Sequence, residues 1–184
     1  MYYDVIIAGF GGQGIMLIAD ILALIAMKEG KNVTWMPSYG VEMRGGTANC
    51  TVVLSSEEIG SPVTGHPMSA IVMNEPSLLK YEPMVRSKGF LLVNTSLIDP
   101  EKAKRQDIDS LLLPANYIAK KLGNSQMANM VALGAFIEKT KIVSLDLAIN
   151  LLPEIFPERP PKFISNNSRA IEKGAEFVVK GKQV

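Results

Sequence analysis

The sequence predicts an α/β protein with a mostly parallel or mixed sheet. Short apolar runs over 33–36, 49–54, 70–73 and 90–93 read as strands, and helical patterns separate most of them. Alternation of this kind is typical of a three-layer domain, in which helices cover both faces of the sheet. Because no repeat, low-complexity tract or linker-like stretch interrupts the pattern, we expect a single domain over 1–184.

The N-terminal region predicts a Rossmann-like βαβ unit. A short strand at 5–8 runs into a glycine-rich turn, helical periodicity follows from 13 to 29, and the run 33–36 forms the next strand. Apolar residues recur almost all round this helix, so we expect its own sheet or a partner subunit to bury most of it. The same helix and the ten methionines suggest that the isolated chain can form a homodimer.

Composition and charge argue against several functional classes. A formal net charge of +1 provides no field that would favour nucleic acid or an anionic membrane. Cys50 is the single cysteine and His66 the single histidine, so the chain alone cannot supply a cysteine-ligated cluster or a His-rich metal site. The apolar run 15–27 contains Asp20 and is too short to span a bilayer. With no signal peptide recognisable at the start, we expect a cytoplasmic protein.

The glycine-rich turn is the first candidate site. Gly9, Gly11 and Gly14 fit the G-x-G-x-x-G spacing, and Gly12 and Gln13 complete the stretch. Such a turn allows close approach of a ligand to the main chain, and the following helix N-terminus favours an anion. The alternative is a tight turn that only packs the helix against the strand.

The second strand argues against a dinucleotide site at this turn. Enzymes that bind NAD through this motif place an Asp or Glu near the end of the second strand, where it holds the ribose hydroxyls. Here the strand region 33–37 has no acid, and no Walker lysine follows Gly14. A glycine motif without its ribose anchor is weak support for nucleotide binding.

The stretch from Pro37 to Asn49 is the second candidate site. In an extended segment Glu42 and Arg44 would point the same way, either as a surface ion pair worth little or with Arg44 holding a carboxylate or phosphate. Gly45 and Gly46 would leave room for that ligand. A third interpretation is subunit docking, since Tyr, Met and Arg are common at interfaces.

Other polar residues have simpler explanations. Cys50 lies in a strand pattern and is expected to pack as a small hydrophobe. His66 lies in a Pro/Gly loop, where a structural or interface role is favoured over catalysis. Asn124, Gln126 and Asn129 could line a site, but capping of the following helix is the safer interpretation.

The two stretches together resemble a known family. The sequence Gly9-Phe10-Gly11-Gly12-Gln13-Gly14, followed by Pro37 to Asn49, is similar to the gamma subunit of 2-oxoacid:ferredoxin oxidoreductases. The later run Asn129 to Gly134 fits the same pattern, and order and spacing match over essentially the whole chain. The version of the second motif found here looks most like the 2-oxoglutarate branch, with the pyruvate and 2-ketoisovalerate branches left open.

This resemblance implies an enzyme complex. The family oxidatively decarboxylates a 2-oxoacid, joins the acyl group to coenzyme A and passes two electrons to ferredoxin. Thiamine diphosphate with Mg²⁺ and iron–sulfur clusters do this chemistry, and the resemblance implies that other chains hold them rather than this one. The implied partners are alpha and beta subunits, a ferredoxin-like delta subunit as a further candidate, and ferredoxin itself.

The resemblance names no catalytic residue, so the site prediction concerns contacts. We expect the two stretches to lie together at the C-terminal edge of the sheet, facing the partner subunits, with Arg44 as the best anion contact. The competing hypothesis is a stand-alone NAD(P)- or nucleotide-binding oxidoreductase or regulatory domain. The residues predicted to face a ligand or partner are Gly9, Gly11, Gly12, Gln13, Gly14, Tyr39, Glu42, Arg44, Gly45, Gly46 and Asn49.

Overall fold

The computed structural model describes residues 1–39 and 46–181. Its strands are β1 (Tyr2–Phe10), β2 (Asn32–Tyr39), β3 (Thr47–Ser55), β4 (Ser69–Val72), β5 (Phe90–Asn94) and β6 (Asp109–Leu113). Its helices are α1 (Ile15–Lys28), α2 (Glu75–Tyr81), α3 (Ala115–Lys121), α4 (Ala128–Thr140), α5 (Leu145–Asn150), α6 (Leu152–Ile155) and α7 (Pro161–Lys180). None of these helices is both long and apolar enough to cross a membrane.

The six strands form one mixed sheet in the order β2-β3-β1-β4-β5-β6. Strands β1, β4, β5 and β6 are parallel, whereas β3 runs antiparallel to both β1 and β2. The predicted α/β class and mixed sheet are therefore confirmed.

The βαβ unit differs from its simplest form because β3 lies between β1 and β2. The connection 40–46 is shorter than the dozen or so residues that a parallel crossover needs, so β3 returns antiparallel.

Helices cover both faces of the sheet, as expected for three layers. Alternation along β1 sends Val5 and Ile7 into a large core shared with α1, α4 and α7. Ile6 and Ala8 enter a smaller core on the opposite face, where Leu78 of α2 also packs. The continuous apolar run 5–8 is therefore the pattern expected of a strand that helices cover on both faces.

Local side chains fix where two of the helices begin. The Asn74 side chain accepts a hydrogen bond from the Ser77 N–H (2.9 Å) at the start of α2, and Ser144 accepts one from the Leu147 N–H (3.2 Å) at the start of α5. Both caps satisfy donors that the first helical turn leaves free. They hold α2 at the carboxyl end of β4 and α5 beside the larger core.

Helices α4 and α7 touch through two glycines. A Cβ atom on Gly134 would collide with the backbone carbonyl of Ile171, and one on Gly174 would collide with the backbone carbonyl of Val131. Backbone atoms cannot move to relieve such a clash as the end of a flexible side chain can. The two helices therefore approach as closely as their main chains allow, with no space for a methyl group on either side.

We predict that Gly134→Ala and Gly174→Ala each lower the free energy of unfolding by about 1–3 kcal/mol, the usual cost of overpacking a filled core. Helix propensity alone would give the opposite sign, a gain of about 1 kcal/mol for Ala over Gly. Urea unfolding measures the difference. Gly60→Ala is the matched control, because no heavy atom lies within 4 Å of its added Cβ. Stabilisation in either helix variant would contradict the close approach.

Candidate ligand- or partner-facing site

The glycine-rich turn joins the carboxyl end of β1 to the first turn of α1. Gly12 and Gly14 adopt positive φ angles of 97° and 73°, a region that L side chains rarely enter. The Gln13 N–H donates to the carbonyl of Phe10 (3.1 Å) and closes the turn. Gly14 then forms the N-cap position of α1 without a side-chain cap.

Two of the fingerprint glycines are required by packing inside the chain. A Cβ on Gly9 would lie 2.6 Å from Oε1 of Gln13 and 2.7 Å from Cδ1 of Ile15. A Cβ on Gly14 would collide with the side-chain amide of Asn129 at the start of α4. At Gly9 and Gly14, the glycines that suggested a dinucleotide site are therefore explained by close contact with neighbouring side chains.

The Gln13 side chain connects the turn to the next parallel strand. Its Oε1 atom accepts hydrogen bonds from the Phe10 N–H (2.7 Å) and from Nδ2 of Asn74 (3.2 Å). Its Nε2 atom donates to the carbonyl of Met73 (3.1 Å), directly after β4. From β1 the chain proceeds towards β2, and from β4 it proceeds towards β5. Gln13 therefore lies at the point where the strand order reverses, which is where open α/β sheets bind ligands.

Asparagines extend this polar edge across the remaining parallel strands. The Nδ2 atom of fully buried Asn94, at the end of β5, donates to Oδ1 of Asn116 in α3 (2.8 Å) and to the Met73 carbonyl (3.5 Å). Asn74, Asn94 and Asn116 were not among the predicted site residues. The sequence feature that could have identified them is an amide residue at or just after each buried strand. These positions come together because the carboxyl ends of parallel strands meet at one edge of the sheet.

The described part of the second stretch lies beside the turn, as predicted. The Gly11 N–H donates to the carbonyl of Gly46 (2.9 Å), and Thr47 pairs with Phe10 in the sheet register. Asn49 is half-buried in β3, opposite Ala8. The backbone of Tyr39 ends β2, and residues 40–45, which include Glu42, Arg44 and Gly45, lie outside the described residues. Gly46 and Asn49 therefore lie beside the turn, while their contact with a ligand or partner stays a prediction.

A cleft of about 460 Å³ opens between this turn and the start of β3. Its lining residues include Gly11, Gly12, Met16, Asp20 and Thr47. Neither a side-chain cap nor a first-turn acid occupies the N-terminus of α1, so its N–H groups favour an anion. Burial raises the pKa of Asp20, the one titratable side chain among the described lining residues.

The remaining polar candidates have structural roles or none in this site. Asn124 accepts a hydrogen bond from the Gln126 N–H (2.9 Å) and caps the short turn before α4, as predicted. Asn129 instead packs against Gly14, while His66 is exposed in the loop before β4. Cys50 is completely buried, as expected of a small hydrophobe. Among the described residues, no three His, Cys, Asp or Glu side chains are grouped so that they could hold a metal ion.

The fold is an α/β domain with a polar edge, rich in amide side chains and exposed backbone, at the carboxyl ends of its parallel strands. Residues 4–177 match the family of pyruvate ferredoxin/flavodoxin oxidoreductases, and the chain belongs to that family. The resemblance to gamma subunits of 2-oxoacid:ferredoxin oxidoreductases is thereby confirmed.

Two relatives differ in how much of their own length aligns with this chain. A 2-oxoglutarate synthase subunit KorC from Methanothermobacter marburgensis is 31% identical, with all of both chains aligned. A ketoisovalerate oxidoreductase subunit VorA from Methanothermobacter thermautotrophicus is 36% identical over 93% of this chain but only 35% of its own length. The chain thus spans about a third of that longer relative.

A solved structure supports the same family. The gamma subunit of a keto/oxoacid ferredoxin oxidoreductase from Geobacter sulfurreducens superposes with a TM-score of 0.81 at 28% identity. The match covers 97% of this chain and 99% of that one. The similarity therefore extends over nearly the whole length of both chains.

We predict that Gln13→Ala lowers the free energy of unfolding by about 1–3 kcal/mol, because it leaves the Phe10 N–H and the Asn74 amide without their shared acceptor. Chemical denaturation measures the loss. Gln126→Ala is the control, since it removes an exposed amide from the same edge and should change stability by less than about 0.5 kcal/mol. Equal effects of the two substitutions would contradict the bridging role of Gln13.

We predict that Cys50 is inert in the folded chain. Burial raises the pKa of its thiol from 9.0 to about 12, so at pH 8 the reactive thiolate is about a thousandfold rarer than in an ordinary thiol. Labelling with a disulfide reagent at pH 8, with and without urea, measures this difference. Rapid labelling without urea would show that the strand region around Cys50 opens readily.

Proposed function

We propose that this chain is the gamma subunit of a 2-oxoacid:ferredoxin oxidoreductase that converts 2-oxoglutarate, and that residues 1–184 act in it as one domain. The observation that carries the proposal is the match to KorC, which spans all of both chains. Such an enzyme couples release of carbon dioxide from the 2-oxoacid to acyl transfer onto coenzyme A and to reduction of ferredoxin. In this proposal the gamma subunit completes the assembly of alpha and beta subunits.

The residues of this chain fit a role in binding rather than in redox chemistry. Its one cysteine is completely buried, and a four-iron cluster needs four thiolates. We therefore place the iron–sulfur clusters, as well as thiamine diphosphate and Mg²⁺, on other subunits of the complex. The contribution of this chain would come from the turn at Gly9–Gly14 and the stretch 39–49, facing coenzyme A or a partner subunit.

The substrate is tested in the purified complex. We expect ferredoxin reduction with coenzyme A and 2-oxoglutarate to exceed that with 2-oxoisovalerate or pyruvate. Since the VorA relatives are ketoisovalerate oxidoreductase subunits, 2-oxoisovalerate is the main competitor. A higher kcat/KM for 2-oxoisovalerate would move the chain to that branch and leave the subunit assignment intact.

We predict that Arg44→Ala weakens coenzyme A binding or subunit assembly in the reconstituted complex, because Arg44 is the candidate contact to an anion or a partner carboxylate. KM values for the 2-oxoacid and coenzyme A, together with the mass of the complex, measure the effect, which we expect to be about tenfold. Arg169→Ala on the exposed surface of α7 is the control. Unchanged assembly and kinetics would remove Arg44 from the site.

The competing function, a stand-alone NAD(P)-dependent protein, is tested by titrating the isolated chain with NAD(H) and NADP(H). The described geometry disfavours it, because β2 ends without an acid to hold a ribose and because side chains occupy the space beside Gly9 and Gly14. Tight binding by the isolated chain would restore this alternative.

A further inference from the structure

Helix α1 has an apolar stripe that the rest of the described chain does not cover. Leu17, Asp20, Leu24 and Met27 are spaced so that they follow one face of the helix. Leu17 and Leu24 are half-buried, and Met27 is 62% exposed. The opposite face of the helix is completely buried against the sheet and α4. The sequence predicted a nearly all-round apolar helix, and this stripe is the part that its own sheet does not bury.

Strand β2 continues the same surface. Trp35 pairs with Val52 of β3, and Val52 belongs to the core that contains α1. Since paired residues point to the same side of a sheet, the Trp35 side chain emerges on the α1 side, where it is 41% exposed. β2 is also the last strand at this edge, and its eight residues carry no charged side chain that would discourage pairing. We call Leu17, Asp20, Leu24, Met27 and Trp35 the α1–β2 face.

One carboxylate lies within this apolar surface. Asp20 and Lys28 are the only charged residues of α1, and Lys28 already pairs with Glu154 of α6 (2.8 Å). In the part of the chain that the structure describes, Asp20 makes no ion pair. Covering the face would bury this carboxylate, which is costly unless the covering surface supplies a cation.

We propose that the α1–β2 face is the docking surface for a partner subunit that brings an apolar patch and an Arg or Lys opposite Asp20. This inference rests on the proposed function, because it needs the complex to exist. Charge complementarity favours a different chain over a second copy. The five residues that define the α1–β2 face include no cation, so in a symmetric contact between two copies Asp20 would meet another Asp20 and no opposite charge among them.

The longer relatives point in the same direction. In the VorA proteins the matched region is 27% and 35% of the whole chain, so most of the polypeptide lies outside it. Domains joined in one chain usually pack against one another over a defined surface. In the proposed complex, a separate subunit takes the place of the rest of such a chain and would contact this domain at the corresponding surface. The α1–β2 face is a candidate for that surface, because it is apolar and its edge strand is unpaired.

The test uses the full chain, co-expressed with the alpha and beta subunits of the proposed complex. Met27→Glu places a charge in the apolar patch, and Asp20→Lys reverses the charge that the partner is expected to neutralise. We expect each to raise the Kd for the partner subunits at least tenfold, whereas Asp20→Asn, which keeps the shape, should have a smaller effect. Circular dichroism and thermal melting of the isolated chains check that the variants fold.

Leu79→Glu on α2 and Val179→Glu on α7 are the matched controls. Both residues are more than half exposed and lie away from the α1–β2 face, so both variants should assemble like the wild-type chain. If the wild-type chain assembles and Met27→Glu and Asp20→Lys assemble equally well, the docking surface is wrong while the proposed function stands.

Two other outcomes are decisive. If the wild-type chain does not bind those subunits at all, the proposed function fails and the docking inference fails with it. If the isolated chain is a dimer that Met27→Glu converts to a monomer, while binding to the partner subunits is unchanged, the face binds a second copy instead. The mass of each species by light scattering separates these outcomes.

Discussion

The side-chain amide of Gln13 joins the two strands at which the chain changes direction across the sheet. With one oxygen and one nitrogen it binds the turn after β1 and the backbone after β4, and it contacts the cap residue of α2. Strand ends at a switch point leave a crevice between them. Here an amide with both donors and acceptors occupies part of that crevice and fixes the separation of the two loops.

The other features of this edge depend on that bridge. Gly9 must lack a side chain because Gln13 folds over it, and Gly14 must lack one because Asn129 of α4 packs there. Asn74 and Asn94 then continue the amide contacts along the sheet. The glycine spacing therefore reflects how the turn is packed, and the same turn also lines the cleft beside Gly11, Gly12 and the start of β3.

In the proposed role of completing a complex, the chain needs contact surfaces more than reactive groups. The C-terminal edge, polar and backbone-rich, would be one such surface, and the α1–β2 face, apolar with a single carboxylate, would be a second. The two lie on the same half of the sheet, because both begin from the turn that ends β1 and starts α1. They are continuous, because Leu17 and Asp20 of the α1–β2 face also line the cleft at the C-terminal edge.

The sequence alone determined the α/β class and the burial of most of α1, since period-two and helical patterns reflect burial directly, and its two motif stretches carried the family resemblance. It also indicated that the glycine turn lacks a ribose anchor. Only the tertiary structure decided that β3 separates β1 from β2, that Gln13 bridges to Met73, and that Asn94 and Asn116 share a hydrogen bond. Those contacts join residues some 20 to 60 positions apart, and strand order and such pairings depend on how the elements pack, which no local pattern of residues specifies.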